Sequence, residues 1–195
     1  MTKSSDHNRV AVFLDRDGVV NVDRRDYVKS WREFDFLPSA LDTLKLFAEK
    51  RIRVVIVTNQ SAVNRGLVSL RSLKEIHRKM LAEIRVQGGD VEAIYFCPHT
   101  PTENCECRKP KPGMVLRAAK DLDIDLSSSY VVGDSDKEVE LARSLGIKCI
   151  RISATDSNPS SSKRSPWSPD QPIVARSLGE AAQYILRDIE RSSST

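Results

Sequence analysis

Short runs of consecutive apolar residues alternate along this chain with longer stretches in which apolar positions recur every three or four residues. The short runs fall at 10–14, 53–57, 91–96, 130–132 and 148–152. Each is too brief for a helix and mostly apolar, and the unbroken run at 10–14 is the mark of a strand covered on both faces. Between them, 38–50 places Leu41, Leu44, Phe47 and Ala48 on one helical face, with Pro38 tolerated in the first turn. The stretch 70–86 aligns Leu73, Ile76, Met80 and Ile84 and stops at Gly88-Gly89. Further helices are predicted over 114–122 and 138–145, the second closed by Gly146. The last starts at Ser177, with Glu180 three residues on as a capping box and Leu178, Ala182, Ile185 and Ile189 inward.

Strands alternating with helices imply right-handed βαβ units. The predicted fold is therefore α/β, a three-layer Rossmann-like parallel sheet with helices on both faces. In such sheets ligands bind beyond the carboxyl ends of the strands. Asp15, Thr58, Cys97 and Asp134 stand at or just beyond the ends of four predicted strands, so all four are expected on one edge. Residues 22–36 read as a loop or flap, and the interval before the second strand leaves no room for a separate cap domain of ordinary size. A Ser- and Pro-rich stretch at 153–172, with Lys163-Arg164 as solvated charges, reads as a flexible insertion. The expected organisation is one domain over 9–191 with tails at 1–8 and 192–195.

Composition narrows the function classes. With 195 residues, 39% hydrophobic and 30% charged, the chain can bury a proper core as an ordinary globular protein. A net charge of +4 suits an anionic substrate without requiring nucleic acid. The aliphatic runs are far too short to cross a bilayer, and the first residues, MTKSSDHNR, contain no apolar signal region. A cytoplasmic monomer is expected, with no membrane and no nucleic-acid partner.

The chemistry begins at Asp15-Arg16-Asp17-Gly18. If the strand continues through them, Asp15 and Asp17 project to one side and Arg16 to the other, while Gly18 lets the chain turn away. Two neighbouring carboxylates repel unless a cation sits between them. The pair is thus a candidate Mg²⁺ site where one carboxylate attacks and the other handles protons. A second constellation, Cys97-Pro98-His99 followed by Cys105-Glu106-Cys107, offers three sulfurs and one imidazole. That is a full tetrahedral set for structural Zn²⁺, and the expected result is a small zinc-stapled loop at 97–107. It would fix the exit direction of Arg108, a planar fork for phosphate, and Lys109, a point charge. Lys111 is expected to be solvated, Cys149 an inert core thiol, and His7 and His77 surface residues.

Taken together, FLDRDGVVN, VTNQS, CPH…CECRKPKPGM and VVGD resemble the haloacid dehalogenase superfamily, and within it the heptose 1,7-bisphosphate 7-phosphatase and histidinol-phosphatase subfamily, over about residues 9–190. The resemblance implies a Mg²⁺-dependent phosphomonoesterase with a small phosphorylated sugar as substrate. It makes Asp15 the nucleophile that forms an aspartyl-phosphate and Asp17 the acid and base. Thr58 and the backbone near Asn59 would bind phosphoryl oxygens, and Lys109 would neutralise their charge. Mg²⁺ would be held by the Asp15 carboxylate, the Asp17 carbonyl and Asp134. Asp23, Asn59, Gln60, Ser61 and Arg108 would contact the substrate body. The sequence departs from the family at Glu138, where Asp is usual, at Ser135, where the heptose branch has Lys, and in a flap one residue longer. Histidinol phosphate and a polynucleotide 3′-phosphate are the alternative substrates, and a zinc-containing binding module without catalysis is the alternative of another class.

Overall fold

The structure, a computed structural model, describes residues 9–153 and 172–193. Six strands form one parallel sheet: β1 (Ala11–Leu14), β2 (Arg53–Asn59), β3 (Ala93–Cys97), β4 (Tyr130–Gly133), β5 (Lys148–Ile152) and β6 (Ile173–Ala175), in the spatial order β3-β2-β1-β4-β5-β6. The helices are α1 (Ala40–Glu49), α2 (Leu70–Val86), α3 (Gly113–Leu122), α4 (Asp136–Leu145) and α5 (Leu178–Ser193).

Successive strand residues face opposite layers, as the pleat requires. Val12 and Leu14 of β1, with Val54 and Ile56 of β2, pack against Leu44 and Phe47 of α1, Ile76 and Met80 of α2, and Ile185 of α5. Ala11 and Phe13, with Val55 and Val57, pack against Met114, Val115 and Ala118 of α3 and Leu141 and Ala142 of α4. The inward faces predicted for α1, α2 and α5 are the ones buried, and Cys149 lies in the second core layer.

β6 is an addition to the expected five strands. It is only three residues long, at the sheet edge, with Ala175 alone fully buried, so no apolar run announces it. The α5 cap forms in part: Glu180 N donates to Ser177 Oγ at 3.2 Å, but the Glu180 carboxylate accepts from Arg176 N at 2.9 Å rather than from the backbone of Ser177. Between β1 and β2 the chain makes no domain of its own. Ahead of α1 it carries a 3₁₀ turn (Trp31–Glu33) and a knot of Trp31, Phe34 and Phe36, with Trp31 stacked on Phe34 at 5.0 Å. His7, Lys163-Arg164 and nearly all of the expected insertion lie outside the described residues.

The chain runs from β1 outward to β3, then crosses to β4 on the other side of β1. The strand order therefore reverses between β1 and β4, the topological switch point where a site is expected. Asp15 follows β1 and Asp134 follows β4. The Asp15 amide donates to the Val132 carbonyl at 2.9 Å, tying the two strand ends together.

Candidate active site

At that edge lies an open cleft of about 360 Å³. It gathers Asp15, Asp17, Asp23, Thr58, Asn59, Gln60, Ser61, Arg108, Lys109 and Asp134, residues far apart in the chain.

Lys109 is the centre of the charge arrangement. Its side chain is 2% exposed, and its Nζ lies 2.8 Å from Asp15 Oδ1 and 2.7 Å from Glu138 Oε1. Asn59 holds the Lys109 backbone on both sides: Asn59 Nδ2 donates to its carbonyl and its N–H donates to Asn59 Oδ1, each at 3.1 Å. Expected against the substrate, the Asn59 carboxamide thus has both polar groups engaged in fixing Lys109. Burial raises the Asp15 carboxyl to about 7, with Glu138 and Asp17 adding to the rise and Lys109 opposing it. Burial also works against Glu138, but Lys109 and Ser135 hold it below the usual range. One ammonium thus serves two carboxylates at nearly equal distances.

The two departures at Ser135 and Glu138 form one local structure. Ser135 caps α4, and its Oγ and N–H donate to Glu138 Oε2 at 2.6 and 3.2 Å, a capping box. The extra methylene of Glu138 folds back over Gly133, where any Cβ would collide with it. Gly18 is likewise obligatory: its φ is +79°, and a Cβ there would run into the Asp134 carboxylate. Asp134 forms no ion pair among the described residues, and burial, then Glu138 and Asp23, raise its carboxyl. Carboxylate oxygens of Asp15, Asp134 and Glu138 lie within 4.8 Å of one another, a hard-oxygen set that fits a divalent cation such as Mg²⁺. Glu138, rather than the Asp17 carboxylate, completes that set.

Asp17 faces a different group. Arg16 does not point away from it, because the backbone turns at Asp17, which bridges to Asn21. The buried guanidinium folds back instead: Nη2 donates to both Asp17 oxygens at 2.8 and 2.9 Å, and Nε to Oδ1 at 3.3 Å. Asn21 Nδ2 donates to Oδ1 at 2.9 Å and Gln60 Nε2 to Oδ2 at 2.7 Å. Burial raises Asp17, but Arg16 and these donors outweigh it and hold the carboxyl below the usual range. Gln60 also donates to Thr58 Oγ1 at 2.8 Å. His77 is not a surface residue: it is buried on α2, and Arg16 Nη1 lies 3.2 Å from its Nε2. Burial, then the Arg16 charge, push the imidazole down to about 3. A histidine on the apolar face of a helix could have announced this, since Ile76 and Met80 flank it.

The Cys97, His99, Cys105 and Cys107 donors converge beside the cleft. Cys97 Sγ is 3.5 Å from both His99 Nδ1 and Cys105 Sγ, and Cys107 Sγ is 3.3 Å from His99 Nδ1 and 3.4 Å from Cys105 Sγ. All four thus form one cluster able to hold a metal ion. The Arg108 guanidinium leaves this loop with Nη1 donating to the His99 carbonyl at 3.0 Å, its far side in the cleft. Sequence reasoning did not single out Arg24, Arg25 and Lys137, which line the cleft as well.

Known proteins resemble this chain in sequence and in fold. The HAD-hydrolase-like family profile matches residues 106–181. The D-glycero-beta-D-manno-heptose-1,7-bisphosphate 7-phosphatase of Bordetella bronchiseptica is 36% identical over 177 residues, covering 91% of this chain and 98% of that protein. Its counterpart from Neisseria meningitidis serogroup A is 33% identical, with coverage of 91% and 95%. The crystal structure of the B. bronchiseptica D,D-heptose 1,7-bisphosphate phosphatase, complexed with magnesium and phosphate, superimposes with a TM-score of 0.81 at 35% identity over 92% of this chain and 99% of that one.

Proposed function

The chain belongs to the D-glycero-beta-D-manno-heptose-1,7-bisphosphate 7-phosphatase family of HAD-like hydrolases, and on that premise we propose that it removes the 7-phosphate of that heptose bisphosphate through an aspartyl-phosphate on Asp15. The observation that carries the reading is the meeting of Asp15, Asp134, Glu138 and Lys109 beyond the two central strands.

In the first half-reaction an Asp15 oxygen attacks phosphorus, and the bond from phosphorus to the sugar oxygen breaks. The electron pair leaves on that oxygen, which takes a proton from Asp17; that carboxyl, held below the usual range by Arg16 in the free protein, has to take up its proton as the anionic substrate enters. Water then attacks the phosphoryl group and yields a proton to Asp17, the acyl-phosphate bond breaks, and Asp15 is restored with inorganic phosphate released. Thr58 and Lys109 are placed to receive charge on the phosphoryl oxygens. Asp15, Asp134 and the Asp17 carbonyl, with Glu138 beside them, are the residues that would hold Mg²⁺. When bound, that ion neutralises charge between an anionic nucleophile and an anionic substrate. We assign Zn²⁺ to the Cys97, His99, Cys105 and Cys107 cluster, as a clamp on the loop carrying Arg108 and Lys109.

Asp23, Gln60, Ser61 and Arg108 are read as facing the substrate body. The cationic rim of Arg24, Arg25, Arg108 and Lys137 favours a bisphosphate over histidinol phosphate, whose other end is an amine beside an imidazole. Among the described residues Tyr27 is the one aromatic of the cleft lining, which gives a polynucleotide end little to stack on. We take residues 9–191 as a single phosphatase domain acting as a cytoplasmic monomer. Among the described residues no helix is long and apolar enough to cross a membrane.

The test is phosphate release with Mg²⁺ across both anomers of the heptose 1,7-bisphosphate, histidinol phosphate and a DNA 3′-phosphate. The reading requires the highest kcat/KM for a heptose bisphosphate. Preference for histidinol phosphate, or no turnover of any of them, would refute it.

A further inference from the structure

We propose that His77 is a positioning residue for the Asp17 carboxylate, acting through the buried guanidinium of Arg16; the inference rests on the reading of Asp17 as the proton-handling group. Arg16 is 1% exposed, so each of its three guanidinium nitrogens needs a partner inside the protein. Asp17 takes Nε and Nη2. Nη1 is left, and its partner is His77 Nε2 at 3.2 Å. Arginine has no acceptor, so the imidazole accepts through an unprotonated Nε2.

The ring is fixed from its other side as well. Phe96 at the end of β3 meets it edge-on, with centroids 5.8 Å apart. His77 is one turn from Leu73 and from Met80, inside a capped helix packed on the sheet. The guanidinium is planar and rigid, so anchoring Nη1 sets the direction of the fork that grips Asp17. Asp17 in turn receives Gln60, which also donates to Thr58. A continuous hydrogen-bonded line thus runs from α2 through Arg16 and Asp17 to the proposed phosphoryl-binding Thr58. Proton transfer tolerates little misplacement: a shift of about 1 Å is enough to cost a large factor in rate. His77 touches neither metal-capable cluster and does not line the cleft.

The experiment compares kcat/KM on two substrates that differ in their need for an acid. A heptose bisphosphate leaves as an alkoxide and needs the Asp17 proton; p-nitrophenyl phosphate leaves as a stable phenolate and does not. In His77→Phe, kcat/KM is expected to fall about tenfold for the sugar and stay within about twofold for the aryl phosphate. His77→Gln, whose amide oxygen can accept from Nη1, should recover most of the loss. An equal fall on both substrates, or no recovery in His77→Gln, overturns the inference in favour of a purely structural histidine. If His77→Phe does not fold, His77→Met, apolar but adaptable, is read by the same ratio. Asp17→Asn runs alongside. If it lacks the leaving-group-dependent loss, the reading of Asp17 itself fails; if it has that loss and the His77 variants do not, only the positioning role fails.

Discussion

Two clusters of ionisable groups stand side by side in this protein, and they differ in where their valence goes. The donors of Cys97, His99, Cys105 and Cys107 face one another at 3.3–3.5 Å and none is left over. Such a set, were it to ligate zinc, would hold a loop and leave no vacancy for chemistry. Asp15, Asp134 and Glu138 are instead hard oxygens that open on a cleft, with Lys109 shared between two of them. They repel one another, burial raises Asp15 to about 7, and the arrangement stores the demand for a cation and a phosphate. With a metal bound, the first cluster would stabilise its loop; the second is mutually repulsive where it stands.

The largest effect that would break this contrast is in Asp15→Asn. Turnover should fall by at least about 10⁴-fold, the scale of losing a covalent nucleophile, while zinc content measured by metal analysis stays at the wild-type level. Cys105→Ser should do the reverse. It should lower the zinc content, loosen 97–113 to amide hydrogen exchange, and raise KM about tenfold through Arg108, on the scale of losses when support around a metal site is removed. A KM unchanged in zinc-depleted protein would contradict the clamp.

The smallest effect is on stability. The folded-state pKa of Asp15 lies above its unfolded value of 3.8, so its contribution to stability is present below pH 4 and lost as the pH rises through about 7. In the metal-free protein Asp15→Asn should therefore melt a few degrees above wild type at pH 8, at about 2–4 °C per kcal/mol for a chain of this size. The difference should vanish near pH 4. Thermal melts at the two pH values check it.

The two clusters were also unequally legible. The sulfur ligands lie within a short stretch whose spacing alone is diagnostic, and the structure brings all four donors together. The acidic site is assembled by topology from 15, 109, 134 and 138, and only the strand-end rule could anticipate its meeting. What alternation along a strand could not give was the turn at Asp17, which puts Arg16 on the same carboxylate it was expected to avoid. Nor did Ser135 and Glu138, seen as separate departures, disclose the capping box that joins them. His77 was misplaced because Lys74, Glu75, Arg78 and Lys79 beside it in the chain mask its place on the apolar face of α2. β6 escaped for want of length.

Passage of the phosphoryl group through Asp15 can be caught by acid-quenched turnover followed by peptide mass mapping. A phosphate is expected on the peptide containing Asp15, absent in Asp15→Asn and longer-lived in Asp17→Asn, where the second half-reaction lacks its base. Phosphate on any other residue, or turnover persisting in Asp15→Asn, would contradict it.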